Sequence, residues 1–480
     1  MKAKIIFCAL AIAMLLCACQ AEEQPESTYS PSPVPEQTAA VEPSAPSQSE
    51  SVPSKQLPSA PPVCEVEFTQ TDSFPRPFED ELLLDEERGL LLSTEQALYD
   101  YDTMWLLLEE NFPYLEAIKS EMGIDWRVVK AEYRLKLANH AIDGYISQED
   151  FVNTFSHCIG EFQSVGHLFL VDQQSILNSL RNFDGELFKR IVDLLDNPKT
   201  ERFYTYLWQC SLDTGSSGGG VAKREIETVS IEDSHITTEK VKAGYVGDGI
   251  PYVRIASFSG WPETMHGMLA DFFSDIANKE HLIIDIRGNS GGSNEWMVGI
   301  VPFLAPSTLE YNMYWGAKSG SLNLALNPSI IENHANLTRY ADDSWQEDFP
   351  YIRLESLDGI DLHLKSTLTF EKDCTQKYFS GKIWVLIDEY CYSATDAFVC
   401  FCNETGFATL VGSPTGGNGK GAQPYFMTLP YSGLIVEYEP YLTFNSDGTC
   451  NGIRGTLPDI VPEEGKFALE TCLQVIQDEK

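Results

Sequence analysis

The chain has 480 residues, of which 43% are apolar, so it is long enough for a sizeable core and for two or three domains. It carries 71 acidic and 33 basic residues, a net charge of −38. This excess argues against binding to nucleic acid and against attachment to anionic lipid by charge alone, because both need clustered Lys and Arg. We interpret the charge as a source of solubility and self-repulsion.

Residues 1–18 are typical of a secretory signal peptide. A short basic start precedes an apolar run from Ile5 to Cys17, which is too short to span a bilayer as a helix. The run ends in Leu-Cys-Ala-Cys at 16–19, which resembles a bacterial lipobox. The resemblance implies lipidation of Cys19 and a protein anchored on the extracytoplasmic face of a bacterial cell membrane. An ordinary signal peptide that happens to contain cysteine is the alternative.

Residues 19–62 are rich in Pro, Ser, Glu, Gln and Ala and contain few large apolar side chains. Such a segment buries too little surface to offset its conformational entropy, so we expect a disordered tether. The alternative is a Pro-rich ligand for a partner protein.

Residues 63–172 are predicted to form a helical N-terminal domain. Ser93 and Gln96 fit a capping box at the start of its first helix. A second helix is predicted over 125–142, and a third after Ser147. Side chains three and four residues apart mark one apolar face of the first helix: Tyr101, Trp105, Leu108, Phe112 and Leu115.

A strand-like run at 165–171 follows these helices. Residues 173–243 are then predicted to connect the helical domain to the rest of the chain. A helix is expected around 184–195 and a flexible break at 216–220. No peptide-binding module is recognisable in this region.

Residues 244–480 show an α/β pattern, in which apolar strands alternate with helices. The run at 282–286 is apolar throughout, as in a buried parallel strand. The segment 305–372 is predicted to contain an insertion or lid. The predicted strands are 252–255, 282–286, 383–387 and 408–412, and the predicted helices are 263–277, 394–402 and 467–478.

Nine cysteines follow Cys19, at spacings that show neither a paired disulfide framework nor a zinc site. We therefore predict mostly free thiols, with a single disulfide left open, and no metal or other cofactor.

The predicted buried strand at 282–286 runs into a glycine-rich loop, Asp-Ile-Arg-Gly-Asn-Ser-Gly-Gly at 285–292. Adjacent glycines, Gly291 and Gly292, let backbone N–H groups approach a ligand closely. A phosphate cradle is one interpretation. The loop lacks the Lys-Ser/Thr of a P-loop and the spacing of a dinucleotide-binding turn.

Ser393 stands between the predicted strand 383–387 and the predicted helix that begins with Ala394. Backbone N–H groups at a helix N-terminus stabilise negative charge, so the N–H of Ala394 is suited to stabilising an oxyanion beside Ser393. A lone serine at such a position is more often a helix cap.

Together these motifs resemble those of the tail-specific (C-terminal-processing) serine peptidase family, whose D-x-R-x-N-x-G-G loop precedes an S-A-S-E nucleophile turn. Ser-Ala-Thr-Asp at 393–396 matches that turn conservatively. Two further motifs match in order, Val-Gly-Ser-Pro-Thr at 411–415 and Gly-Thr-Leu-Pro-Asp-Ile-Val at 455–461. The resemblance covers about residues 91–465. It implies a crotonase-like (ββα) core behind a helical domain, and a peptide or protein substrate.

The family has two kinds of general base. Its processing enzymes use a Lys in T-F-G-K-G, where an ungapped alignment puts Asn418; Lys420 would fit only with an insertion. The tricorn-like branch uses a His in L-x-D-G-H-T, and His167, preceded by glycine, stands at that place. Val165 and Leu168 replace the Asp and Thr of that motif. We predict His167 as the base, with Lys420 or a core histidine as the alternatives.

The third catalytic residue of the tricorn-like branch is a Glu shortly before the closing Pro-Asp, and residues 447–454 contain none. Glu437, Glu439 and Asp447 are candidates, although each also fits a surface carboxylate; we select Glu437. The missing Glu keeps a second function open, a peptide- or ligand-binding lipoprotein with an inactive site, like the retinoid-binding proteins of the same fold. A scaffold in cell-wall assembly is a third.

The expected chemistry is acyl transfer from a peptide to Ser393, with His167 as base. The N–H of Ala394 and one from Gly291 or Gly292 would hold the oxyanion. Asp285 and Arg287 are expected to brace the loop, and Asp396 to support the nucleophile turn. The sequence does not define the oligomeric state.

Overall fold

The structure is a computed structural model that describes residues 82–85, 87–171, 197–214, 229–261, 263–327, 338–339, 354–375 and 377–479. The predicted signal peptide, Cys19, the tether and the predicted helix around 184–195 lie outside the described residues. The chain limits of the predicted domains also stay predictions.

The N-terminal part is a set of helices beside a small antiparallel sheet. The predicted capping box is confirmed: the Gln96 N–H donates to Ser93 Oγ over 3.1 Å, and the Ser93 N–H donates to Gln96 Oε1 over 2.9 Å. The predicted apolar face of the first helix is buried; Tyr101 and Trp105 are both 0% exposed. The elements in order are β1 (Leu83–Asp85), β2 (Gly89–Ser93), α1 (Thr94–Asn111), α2 (Trp126–Asn139), β3 (Tyr145–Ser147), α3 (Gln148–Gly160), β4 (Phe169–Leu170) and α4 (Pro198–Thr214).

A six-stranded sheet forms the centre of the C-terminal part. Its strands are β5 (Glu232–Thr237), β6 (Val241–Val246), β7 (Ile250–Ile255), β8 (His281–Asp285), β12 (Lys382–Ile387) and β13 (Thr409–Gly412). The order is β13-β12-β8-β7-β6-β5; the first four strands pair in parallel, and β6 and β5 are antiparallel. The predicted parallel strand at 282–286 is confirmed as β8.

Helices cover both faces of this sheet. One face packs against α5 (Glu263–Asp275), α6 (Glu295–Leu304) and α8 (Ala394–Thr405), and the other against α10 (Ala468–Asp478). Successive side chains of β12 point to opposite faces of the sheet and are apolar on both. Val385 packs in the cluster with α5, α6 and α8, whereas Trp384 and Leu386 pack in the cluster with α10. The predicted α/β class is confirmed, and the finer crotonase-like assignment stays a prediction.

The segment 305–372 contributes a second sheet rather than loop alone. β9 (Leu309–Ala317) and β11 (Leu362–Phe370) pair antiparallel along their whole length. β10 (Thr338–Arg339) and β16 (Tyr441–Thr443) flank them, and α7 (Ser321–Leu326) follows β9. A role for this segment as a lid stays a prediction.

A hairpin links the N-terminal helices to the C-terminal part. It consists of β14 (Tyr425–Thr428) and β15 (Ile435–Tyr438), and β15 also pairs with β4. Its turn is held by buried Asp100 of α1, whose carboxylate accepts the N–H groups of Tyr431 and Ser432, each over 2.8 Å. The hairpin therefore shares one apolar cluster with the N-terminal helices. A short helix, α9 (Asn451–Arg454), follows β16.

Across the described part of the chain, no helix combines the length and apolar character needed to cross a bilayer. Within the same residues no group of His, Cys, Asp and Glu is arranged to hold a metal ion. The cysteines whose side chains are described are free thiols: Cys158, Cys374, Cys391, Cys400, Cys402, Cys450 and Cys472.

Candidate active site

Ser393 lies between β12 and α8 in a strained turn. Its backbone has φ 55° and ψ −129°, a conformation that non-glycine residues rarely adopt and that is concentrated at functional sites. Its side chain makes no capping hydrogen bond to the helix. Ser393 Oγ instead lies 3.0 Å from His167 Nε2, within hydrogen-bond distance. The helix-cap interpretation of this serine therefore does not describe the structure.

His167 is held in a 3₁₀ turn at 165–167 and is 6% exposed. Both Gly166 (φ 61°) and His167 (φ 49°) are left-handed, which ends the predicted strand-like run; only Phe169–Leu170 is a strand. Glycine is required at 166 because a Cβ there would lie 2.6 Å from the Tyr114 ring. The strand-like run predicted at 165–171 is therefore wrong over its first residues, because contacts with residues distant in sequence impose this turn.

Asn418 fixes the turn that carries His167. Its Oδ1 accepts the Gly166 N–H over 2.8 Å, across 252 residues of sequence. Asn418 is the residue that the ungapped alignment places where the processing enzymes have Lys. Lys420, the alternative base, pairs instead with Glu404 and is 2% exposed. The structure thus brings His167, and not Lys420, to Ser393.

Glu439 lies behind the imidazole. Its Oε2 is 3.4 Å from His167 Nδ1, and neither atom has another hydrogen-bond partner among the described residues. This separation is longer than an ordinary N–H···O bond of about 2.7–3.2 Å. Catalytic hydrogen bonds often shorten only when substrate binds. The Glu439 backbone N–H also donates to Gly166 O over 2.6 Å, and Oε1 accepts the Ala422 N–H over 3.0 Å.

Burial raises the pKa of Glu439 above its usual range, while the neighbouring His167 opposes that rise. Glu439 is 0% exposed. The sequence-based description of Glu439 as a surface carboxylate is therefore wrong. The signal in the sequence is its spacing of two residues from Glu437, which puts side chains on the same side of an extended chain.

Glu437, the residue selected from sequence for the orienting role, does not make this contact. It lies within β15, opposite Phe169 of β4, and is partly exposed. Burial raises the pKa of Glu437 to about 7; the charge of Glu439 adds to the rise, and His167 opposes it. Asp447 lies in an exposed turn, where its carboxylate accepts the Thr449 N–H over 2.9 Å.

The glycine loop reaches the nucleophile turn as expected. Gly291 and Gly292 have φ of 106° and 139°, and a Cβ on Gly291 would lie 2.9 Å from Ser393 Cβ. The Gly291 N–H is already bonded to Asn289 Oδ1 over 3.0 Å. Among the described residues, the N–H groups of Gly292 and Ala394 have no acceptor, so these two are the better oxyanion donors.

Asp285 and Arg287 brace the base of the loop, as predicted from sequence. Arg287 Nη2 donates to Asp285 Oδ2 over 2.7 Å, and Arg254 Nη1 donates to Asp285 Oδ1 over 2.8 Å. Burial alone would raise the pKa of Asp285, but the hydrogen bond and charges of these arginines lower it.

Asp396, in the first turn of α8, accepts hydrogen bonds from the loops around the nucleophile. Its buried carboxylate accepts the Gly419 N–H over 3.0 Å, which fixes the loop that carries Asn418. It also accepts the Thr456 hydroxyl over 2.8 Å and the Asn451 side-chain amide over 3.0 Å. The role predicted for Asp396 thus extends to two loops outside the helix.

The arrangement around Ser393 is the one expected of a serine hydrolase. Ser393 lies beside the His167 imidazole, with the buried Glu439 carboxylate on the other side of the ring. The sequence model of peptidase family S41 matches residues 249–461. Residues 249–461 therefore match a family of serine peptidases, which supports the serine peptidase that the sequence motifs predict. His167 lies outside the matched residues.

Comparison with solved structures gives one similar fold, that of mature CPAF, and weaker similarities to others. Mature CPAF is 14% identical with a TM-score of 0.50, and the match covers 77% of this chain and 92% of CPAF. A candidate peptidase from Parabacteroides merdae is 18% identical with a TM-score of 0.49, covering 80% and 97%. A lipoprotein from Streptococcus agalactiae is 11% identical with a TM-score of 0.40, covering 80% and 97%. No curated protein sequence matches the chain significantly.

Proposed function

We propose that this protein cleaves peptide bonds through an acyl-enzyme on Ser393, with His167 as general base and Glu439 as the residue that orients the imidazole. The observation that carries the proposal is the 3.0 Å contact of Ser393 Oγ with His167 Nε2. The strained serine backbone supports it, because such strain persists only where the surrounding structure enforces it.

In this mechanism Nε2 of His167 takes the hydroxyl proton as Ser393 Oγ attacks the scissile carbonyl carbon. The carbonyl oxygen becomes an oxyanion, which the N–H groups of Ala394 and Gly292 stabilise. His167 then donates the proton to the leaving amine, and the C–N bond breaks. Water attacks the ester with His167 again as base, which releases the acid and restores Ser393.

Fluorophosphonate labelling of the full chain in detergent tests this proposal. We expect the parent to label at Ser393 and both Ser393→Ala and His167→Ala to lose labelling. His157→Ala is the matched control, because His157 is an exposed histidine on α3. A folded parent that does not label would contradict the mechanism and favour the peptide- or ligand-binding lipoprotein. Labelling that survives His167→Ala but not Lys420→Ala would make Lys420 the base.

We further propose that the peptidase is lipid-anchored at Cys19 on the outer face of a bacterial cell membrane. The support is the apolar run and the lipobox-like Leu-Cys-Ala-Cys at 16–19. One diacylated cysteine supplies two buried chains, which is enough for stable attachment. Cys19→Ser should lose both the incorporation of radioactive palmitate and the partitioning into a detergent phase. The control variant, Cys17→Ser, should retain both properties. A Cys19→Ser variant that still incorporates palmitate and still partitions into detergent would contradict the anchor.

A further inference from the structure

Glu437 is a carboxylate that the proposed mechanism does not use, although it stands beside the catalytic groups. It pairs across the sheet with Phe169, so the two side chains lie on the same face. The Phe169 ring contacts the Tyr392 ring with centroids 6.4 Å apart, and Tyr392 directly precedes Ser393. Glu437 therefore lies on the face of the hairpin that is turned toward the active site.

Among the described residues, no Lys or Arg forms an ion pair with the Glu437 carboxylate. The charged groups that act on it are His167 and Glu439, and Glu439 is already engaged with the imidazole. Within the described residues it takes part in no ion pair or side-chain hydrogen bond. A partly buried carboxylate without a partner is costly, and a site that carries one is suited to a positively charged ligand group.

The position of Glu437 relative to the imidazole indicates which part of the substrate it meets. In the proposed mechanism the N–H groups of Gly292 and Ala394 would hold the carbonyl oxygen, and the glycine loop lies against Ser393 and Ala394 on that side. His167 gives its proton to the leaving amine, so the leaving part of the peptide lies on the side of the imidazole. β4 begins two residues after His167 and pairs with β15 at Glu437. Glu437 thus flanks the leaving part rather than the acyl part.

We propose that Glu437 is a specificity-determining residue that binds a Lys or Arg side chain located after the scissile bond. The inference deepens the proposed peptidase function and rests on it. The carboxylate would form a charge-assisted hydrogen bond with the ammonium or guanidinium group. The bound cation would balance the negative charge of the Glu437 carboxylate. The same contact would hold the leaving segment of the peptide close to His167, which donates the proton.

Cleavage-site profiling of a peptide library tests this assignment. The library is a chymotryptic digest of a bacterial proteome, so that Lys and Arg remain inside the peptides. The full chain in detergent is incubated with it, and mass spectrometry reads the residues on each side of every new cut. We expect Lys and Arg to be enriched about five- to tenfold after the cut bond, the range of a partly exposed ion pair.

Glu437→Gln keeps the shape of the side chain and removes the charge, so the enrichment should fall to background. Glu464→Gln removes the charge of an exposed glutamate near the C-terminal helix and should keep the enrichment. Enrichment that is absent from the parent, lies before the cut bond, or survives Glu437→Gln overturns the proposal.

Fluorophosphonate labelling of the same samples separates this proposal from the function on which it rests. A parent that labels at Ser393 but cuts without regard to charge overturns the role of Glu437 and leaves the peptidase mechanism standing. A parent that neither labels nor cuts overturns both. Loss of labelling in Glu437→Gln would assign Glu437 to orienting the imidazole and would also overturn the specificity role.

Discussion

Glu437 lies within β15 and Glu439 directly follows it, yet only Glu439 reaches Nδ1 of the imidazole. A carboxylate in this position keeps the proton on Nδ1 and stabilises the imidazolium that forms during the reaction. The proposed mechanism therefore assigns different roles to two glutamates that differ little in sequence context.

Glu439→Gln should lower the rate of fluorophosphonate labelling by about 10²–10⁴-fold, since an amide neither fixes the tautomer nor stabilises the imidazolium. The fold should be preserved, because Gln can still accept the Ala422 N–H. Labelling rates and circular dichroism of Glu439→Gln, with Glu464→Gln as the control, measure this. Full activity in Glu439→Gln together with loss in Glu437→Gln would restore the sequence-based choice.

Gly166→Ala should destabilise the protein and abolish labelling. A Cβ at 166 would lie 2.6 Å from the Tyr114 ring, in a backbone with φ 61°. Gly144→Ala is the matched control: its φ is 82°, and nothing lies within 4 Å of the added Cβ. We expect Gly144→Ala to cost about 1 kcal/mol in backbone strain alone, and Gly166→Ala to cost more. Urea denaturation measures both; equal costs would show that the Tyr114 contact does not matter.

The hairpin formed by β14 and β15 is the element on which the orienting carboxylate depends. It carries Glu437 and leads directly to Glu439, and its turn is fixed to α1 by Asp100. Burial raises the pKa of Asp100 to about 6, against hydrogen bonds from Ser432 and Tyr431 that lower it. The Asp100 carboxylate that holds the hairpin turn is therefore in an environment that disfavours its charged form.

The raised pKa of Asp100 predicts a particular dependence of stability on pH. The folded state holds the proton more tightly than the unfolded state, so the contribution of Asp100 is greatest below pH 4 and is lost as pH rises through about 6. Across this interval, the free energy of unfolding of the parent should fall relative to that of Asp100→Asn by about 3 kcal/mol. Urea denaturation at pH 4, 5, 6 and 7 measures the difference. A difference that does not change with pH would contradict the raised pKa.

The site shows what a single sequence can predict. Ser393, the glycine loop and the Gly-His pair follow from short motifs, because the chemistry needs those residue types next to each other in the chain. The choice between Glu437 and Glu439 depends on where β15 ends, which an alternating pattern does not fix. The left-handed turn at His167 depends on Tyr114 and Asn418, which are distant in sequence.

In the fold too, local features could be predicted from the sequence, whereas contacts between distant segments could not. Helix α1 was predictable because its cap and apolar face are local features. The pairing of β4 with β15 joins residues more than 260 positions apart, so no local pattern reports it. The sequence predicts only an insertion or lid over 305–372, whereas this segment contains the antiparallel strands β9 and β11. Their pairing again spans a long connection, so no local pattern reports it.

The acidic surface of the whole chain should make ionic strength act in opposite directions on stability and on substrate capture. With a net charge of −38, added salt screens self-repulsion and should raise the melting temperature between about 10 and 150 mM, as the Debye length falls from about 30 to 8 Å. The same screening should lower kcat/KM for a lysine-containing peptide, with a norleucine peptide as the control. Salt effects of equal size on both peptides would argue against electrostatic attraction of the substrate.

The two reacting side chains are 226 residues apart in the chain, and the residues on either side of His167 pack in the apolar cluster that the N-terminal helices share with the hairpin. In the proposed mechanism, a growing polypeptide therefore carries a proton acceptor long before it carries a nucleophile. Cleavage begins only when the last-made segment has docked onto helices that were synthesised much earlier.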